Sequence, residues 1–316
     1  MSWVFLTDDR VFKLKKPVKY SFLDFSTLER RRFFCEEELR LNRRLAAETY
    51  LSVRPLRRAL SGTFSFDGAG RIVDWVVEMR RLPQTDMLDE RIRTGVIGPD
   101  GIGRIARLLA EFYAGVPPER VDADAYLSKV IEEHGINRAI LMRDDLALAD
   151  IATGPVAAVE ELFTDRRSEI LGRLAANIIL EGHGDLRPEH VCLINPPQII
   201  DCLEFNRAMR VIDPYDEVNY LGMECDMLGA PWIRPMLVSA LEQRIGRRPS
   251  TDLMALYSAF RALLRARLCA LLETPVRHPG KWRPLAIDYV KQAERELFSS
   301  RYPAVRKAIR RREDTR

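Results

Sequence analysis

A polar turn, Glu181-Gly-His-Gly-Asp-Leu-Arg-Pro-Glu-His190, stands a hairpin's length ahead of the apolar run Ile199-Ile-Asp201. In the turn, Asp185 sits on a loop, where a carboxylate can accept a hydroxyl proton as the oxygen attacks. Gly184 beside it permits backbone shapes that other residues resist. Asp201 follows two isoleucines at a strand end, where a carboxylate can project into a cleft and hold Mg²⁺. Alone, Asp185 would more simply cap its turn with His183 packed beneath. Together, a base that meets a hydroxyl and a carboxylate that holds a metal are what phosphoryl transfer needs. Glu204 is a candidate second metal ligand, with Arg207 or Arg210 as its alternative partners. His190 offers an imidazole, which suits Mn²⁺ or Zn²⁺ better than Mg²⁺; it can equally hold a phosphate or a water, or close the loop.

The elements that must position these groups fall into two kinds. In the first eighty or so residues, Trp3-Val-Phe-Leu6 and Val11-Phe-Lys-Leu14 read as strands around an Asp8-Asp9 turn. Residues 27–46 read as a helix capped by Ser26 or Thr27, with Glu29 in its first turn. Strands are expected at 63–66 and 71–79. In the latter, Val73, Trp75, Val77 and Met79 share one face and Asp74 and Glu78 the other. The result is a small antiparallel sheet carrying a helix. Leu82-Pro83 marks the domain boundary, dividing 1–82 from 83–316. Beyond it helices are expected at 102–113, 140–148, 156–180, 216–229, 235–245 and 251–272. They are interrupted by one β-hairpin at 191–194 and 198–201.

Composition excludes more than it selects. The 316 residues are 47% hydrophobic and 30% charged, with fifty basic against forty-six acidic side chains, an ordinary globular balance. A net charge of +4 does not favour nucleic acid, and the basic run Arg306 to Arg312 reads as a solvated tail. The five cysteines form no CxxC pair and lie mostly in apolar runs, as buried reduced thiols do. No apolar run approaches a membrane span, and no signal-peptide core opens the chain, so a cytoplasmic, soluble protein is expected. Gly101-Ile-Gly-Arg-Ile-Ala106 spells a dinucleotide fingerprint but follows a Gly-Pro-Asp turn instead of a strand, and reads as a helix start. Arg261, Arg265 and Arg267 could clamp an anion but read as the basic face of an amphipathic helix.

His183-Gly-Asp-Leu-Arg-Pro-Glu-His190, Ile200-Asp-Cys-Leu-Glu204 and Asp213-Pro-Tyr-Asp216 occur in order within a few dozen residues. This series resembles the aminoglycoside phosphotransferase-like kinases, which carry His-Gly-Asp-Leu-x-x-x-Asn, an Ile-Asp strand end and an Asp opening the next helix. The resemblance implies an α+β, bilobal protein-kinase-like fold with a small β-rich N-lobe and a mainly helical C-lobe. It implies a catalytic site of Asp185 as base with His183 in its loop, Asp201 as metal ligand, and Asp216 as a buried brace. His190 stands where the family has its second metal-binding Asn. The N-lobe should supply a phosphate-binding lysine, Lys13 or else Lys15, and a helical Glu38 to hold it. Glu78 to Pro83, with Arg80, would be the hinge that reads adenine by its backbone.

The implied cofactors are ATP and Mg²⁺ or Mn²⁺, and the implied partner is a small hydroxyl-bearing substrate. No carboxylate cluster beyond Ala230 argues for an aminoglycoside. No glycine-rich loop joins the first two strands. A pseudokinase-like binding module and a nucleotidyl transferase on the same scaffold are the alternative readings. Some members of this group carry a second, P-loop kinase domain after this one; these residues hold no G-x-x-x-x-G-K-[ST] loop.

Overall fold

Residues 1–272 and 280–299 are described by the computed structural model; the basic run at 306–312 lies outside the described residues. The chain opens with β1 (Ser2–Leu6) and β2 (Arg10–Lys15), antiparallel about the Thr7-Asp-Asp9 turn. A small ladder of β3 (Lys19–Tyr20) and β4 (Leu23–Asp24) leads to α1 (Leu28–Ala46). Thr27 caps α1 by accepting from the Arg30 N–H, and Glu29 complements the helix dipole in the first turn. There follow β5 (Tyr50–Arg58), β6 (Phe64–Ser65) and β7 (Arg71–Arg80). Of these strands, all but β3 and β4 form one sheet, in the order β1-β2-β7-β5-β6.

The strand β5 is absent from the sequence-based expectation, because Pro55 and four arginine or polar positions obscure its alternation. In the structure Pro55 lies opposite Trp75 on β7, while β6 pairs only with Arg57 and Arg58. The flank of Pro55 facing away from β7 therefore carries no ladder, and its missing N–H is not needed there. Along β7, Val77 and Met79 are buried on the face read as apolar and Glu78 points the other way, but Val76 is buried too and breaks the strict alternation.

Val77 and Met79 pack with Cys35, Ala46 and Tyr50, and Val11, Leu39, Val53, Trp75 and Ile200 close around them. Each fully buried aliphatic side chain in such a cluster contributes about 1.5–3 kcal/mol. Ile200 thereby anchors the segment that carries Asp201.

After β7 come α2 (Leu88–Arg93) and α3 (Pro99–Gly115). Pro99 opens α3 at a position where its missing N–H costs nothing, so the Gly-Ile-Gly stretch is a helix start. Next are α4 (Ala123–Leu141), α5 (Ala149–Asp165) and α6 (Arg167–Ala175). The expected helix at 140–148 is in fact the link between α4 and α5. Two polar residues, His134 and Asn137, are buried on α4, which hides its apolar recurrence. Pro155 lies within α5, so this helix begins earlier than a proline boundary suggested, and a break at Arg166 separates it from α6.

The expected hairpin is present as β9 (Val191–Cys192) with β10 (Gln198–Ile199), each only two residues long. It is flanked by a ladder not anticipated from the sequence, β8 (Leu180–Glu181) with β11 (Val211–Ile212). The helices α7 (Pro214–Met227), α8 (Ile233–Ile245), α9 (Thr251–Leu272) and α10 (Trp282–Ser299) follow.

The sheet stops where Leu82-Pro83 was read as a boundary, but compactness does not. One compact unit holds Met1–Pro117, Leu180–Ile212 and Glu224–Gly246; the other holds Pro118–Ile179, Asp213–Met223 and the described chain from Arg247. The second unit is held by buried ion pairs. Asp213 accepts from Arg173 and from the Tyr257 hydroxyl, at 3.0 Å for the latter. Asp216 accepts twice from Arg261, at 3.0 and 2.8 Å. Arg265 donates to the Tyr289 hydroxyl and Arg267 to Glu133. The three arginines of α9 are thus internal braces, which corrects the reading of a solvated basic face. All five cysteines are buried free thiols. No described helix is long and apolar enough to cross a membrane.

Candidate active site

The first compact unit brings five of the candidate side chains into one ionic chain. Lys13 and Lys15 lie two apart on β2 and so share a face. Glu38 on α1 meets both: one carboxylate oxygen is 2.6 Å from Lys13 Nζ, the other 2.8 Å from Lys15 Nζ. Lys13 Nζ also donates to Asp201 Oδ1 at 2.6 Å, and Lys15 Nζ to Glu204. The order is therefore Asp201–Lys13–Glu38–Lys15–Glu204. Lys15 is fully buried and Glu38 is 1% exposed, whereas Asp201 keeps about half of its side chain accessible, at 47%.

Electrostatics follow the order of this chain. Burial opposes charge on Lys13, but Glu38 and Asp201 overcome it and hold its pKa well above the ordinary ammonium value. Lys13 in turn holds the Asp201 carboxyl well below the usual carboxylate range. Burial pushes the Glu204 carboxyl upward, with Lys15 resisting. Glu204 was expected as a metal ligand or as a partner of Arg207 or Arg210. Its carboxylate instead belongs to Lys15, which reaches it inside the protein, where Glu204 is mostly buried.

Asp201 adopts φ 65°, a left-handed conformation unusual for a non-glycine residue. Neighbouring bonds hold it there. Its own N–H donates to the Tyr50 hydroxyl at 3.2 Å, and the next N–H, of Cys202, donates to Asn42 Oδ1 at 2.9 Å. Neither Tyr50 nor Asn42 was singled out from the sequence; Tyr50 opens the strand that reading missed, and Asn42 lies one helical turn after Glu38.

The polar turn is knitted to the same segment. Ile200 N–H donates to the His190 carbonyl and Leu203 N–H to the His183 carbonyl. His183 is buried, with Nε2 at 2.9 Å from the Ile200 carbonyl and Nδ1 at 3.3 Å from the Asp185 N–H. With Nε2 donating and Nδ1 accepting, both ring nitrogens are committed to backbone. His183, expected among the catalytic residues, is in this arrangement a positioning residue that shapes the loop. Gly184 has φ 90°, and a Cβ there would lie 3.0 Å from Leu203 Cδ1 and 3.1 Å from Arg210 Cβ. Conformation and space both require glycine.

His190 lies between the two catalytic candidates. Its Nδ1 is 2.8 Å from the Asp185 carbonyl oxygen and 3.8 Å from Asp185 Oδ2; its Nε2 is 3.6 Å from Asp201 Oδ2. Arg187, which sequence reasoning passed over, has a guanidinium nitrogen 3.9 Å from Asp185 Oδ2. Its position in the turn, two residues past the aspartate, was the available signal.

Two hinge candidates turn elsewhere. Glu78 accepts from Ser52 Oγ at 2.9 Å and lies near Arg10 and Arg54, on the sheet face opposite Val77. Arg80 is half exposed, and its N–H donates to the Thr49 carbonyl. Arg81 N–H donates to the Asp9 carbonyl. The side chains of Glu78 and Arg80 are thus engaged on the sheet and at the surface, apart from the ionic chain. Leu82 N–H donates to no group among the described residues.

No protein-family profile matches the chain. It is 30% identical over 269 residues, 84% of its length, to uncharacterised proteins of Mycobacterium tuberculosis (Rv2004c) and Mycobacterium bovis (Mb2027c). The match takes in 52% of those proteins, so the chain spans about half the length of the curated relatives it matches. Among solved structures, choline kinase LicA from Streptococcus pneumoniae superposes with a TM-score of 0.53 at 14% identity, over 95% of this chain and 90% of that one. A thermostable mutant of aminoglycoside phosphotransferase APH(4)-Ia in its apo form also gives 0.53, at 10% identity, over 95% and 94%. The chain has the protein-kinase-like fold of the aminoglycoside phosphotransferases. That fold is α+β and bilobal, and the resemblance read from the three sequence blocks holds at the level of architecture.

Proposed function

We propose that the protein is an ATP-dependent phosphotransferase that moves the terminal phosphoryl group to a hydroxyl of a small molecule. The observation that carries this reading is the meeting of Lys13 with both Glu38 and Asp201, beside a loop that presents Asp185. Asp185, partly exposed, orients the acceptor hydroxyl and takes its proton. The hydroxyl oxygen bonds to the terminal phosphorus as the bond from that phosphorus to the bridging oxygen breaks, and ADP leaves. Lys13 carries its charge to the phosphates. The free Leu82 N–H is the group suited to an adenine edge.

A divalent cation, Mg²⁺ or Mn²⁺, fits the donors present. Asp201 gives Oδ1 to Lys13, keeps Oδ2 clear, and stays ionised. It would hold the ion as its carboxylate ligand, with nucleotide oxygens and water also in the shell. Once bound, the ion neutralises charge on the phosphates. Glu204 is spent on Lys15 and does not enter this set.

The test is a thermal-shift titration with ATP and Mg²⁺ or Mn²⁺, run beside Asp201→Ala. A metal-dependent shift confined to the wild type is the expected result. Absence of a shift with either metal refutes the reading. Nucleotide binding without turnover is the second reading. It rests on the β1–β2 turn, which carries Asp8 and Asp9 and no glycine, so fewer backbone N–H groups are on offer to a phosphate there.

A further inference from the structure

The tautomer of His190 is set by its neighbours. Nδ1 lies 2.8 Å from the Asp185 carbonyl oxygen, which can only accept, so the ring proton sits on Nδ1. In the neutral ring Nε2 then carries the lone pair. It faces Asp201 Oδ2 at 3.6 Å, a span that one ion with bonds of about 2.0–2.2 Å to each atom bridges. A ring N–H tied to a backbone carbonyl, with the other nitrogen bare, is how metal-binding histidines are oriented. The imidazole is 12% exposed and rests near the His183 ring, at 6.1 Å between centroids, so it is held in place before any ion arrives.

We infer that His190 Nε2 and Asp201 Oδ2 form a mixed nitrogen–oxygen ligand pair selecting a first-row transition-metal dication, Mn²⁺ in the first instance, over Mg²⁺. The inference rests on the phosphotransferase reading and specifies its metal. Mg²⁺ is a hard ion that takes oxygen donors and gives up water reluctantly; imidazole nitrogen suits the transition metals. No group of three or more His, Cys, Asp or Glu side chains among the described residues could hold a metal by itself. Two protein donors leave most of the shell to phosphate oxygens and water, so the ion binds together with its nucleotide.

The experiment uses the full chain with ADP as probe. Calorimetry compares Mn²⁺·ADP with Mg²⁺·ADP for the wild type and for His190→Asn, and electron spin-echo spectroscopy of the Mn²⁺ complex looks for a directly bound ¹⁴N. The wild type is expected to show the nitrogen coupling and a Mn²⁺ preference of about tenfold or more, the scale on which even outer-shell losses weaken metal sites. In His190→Asn the coupling disappears and the preference collapses toward parity. Tight Mn²⁺·ADP binding without nitrogen coupling overturns the inference and leaves the nucleotide site standing. Failure of ADP to bind with either metal removes the phosphotransferase reading, and this one with it.

Discussion

Replacing Lys15 by methionine should be among the most destabilising single changes in the chain. The ammonium is fully buried, 2.8 Å from one oxygen of Glu38 and bonded to Glu204, and it also lies 4.9 Å above the Phe25 ring. Methionine fills similar space but supplies no charge. Glu204 then has no cation in the ionic chain, and Glu38 keeps only Lys13. Removing one partner of a buried pair costs about 3–5 kcal/mol, mostly through the charge left behind. Some of that is recovered if Glu204 takes up a proton, which its burial already favours. The double variant Lys15→Met, Glu204→Leu removes both charges, and replacing a buried pair by apolar groups is often neutral or better. Urea denaturation of the full chain at neutral pH should therefore show a loss of about 3–5 kcal/mol in the single variant and recovery of most of it in the double. A single-variant loss below about 1 kcal/mol, the range of solvent-exposed pairs, would refute the reasoning, as would a double variant no better than the single.

Asp185→Asn should leave nucleotide affinity intact and lower turnover about 10²–10⁴-fold, measured once an acceptor is found; near-wild-type turnover would remove Asp185 as base. Gly184→Ala should cost about 1–3 kcal/mol in thermal or chemical denaturation, because φ 90° and the Leu203 and Arg210 side chains both oppose a Cβ. Lys129 gives a pH signature: burial, with Arg261 adding to it, pushes its pKa down to about 8. The folded protein then sheds this proton before the unfolded chain does, so stability should rise as pH climbs from about 8 toward the ordinary lysine value near 10.4. Lys129→Met should flatten that rise in denaturation curves taken at intervals across the range; an unchanged slope would assign it to other groups.

Lys13, Lys15 and Glu38 entered through the family resemblance, while the elements that carry them were legible because their signals are local. Lys13 and Lys15 alternate on a recognisable strand, and Glu38 sits on a helix with a clear cap. Which carboxylate meets which lysine was not legible, since Glu204 reaches Lys15 across 189 positions and only the folded chain brings them together. The sheet was read without β5, as Pro55 masks the alternation there, and with β5 went Tyr50 and its bond to Asp201. On α4 the buried His134 and Asn137 broke the apolar recurrence on which a helix assignment depends. His183 looked like a chemical group because it adjoins Asp185. Its use of both ring nitrogens on backbone depends on Ile200, 17 positions further along the chain.

Glu38 divides its two carboxylate oxygens between two ammonium groups of different accessibility. Lys15 is sealed in, while Lys13 reaches the partly open Asp201. An anion that draws Lys13 toward itself therefore does not strand Glu38, whose second oxygen keeps its own counter-ion inside the protein. On the proposed phosphotransferase reading, the charge offered to phosphate and the charge kept inside are carried by separate lysines, so one can change partners while the other still joins helix and strand.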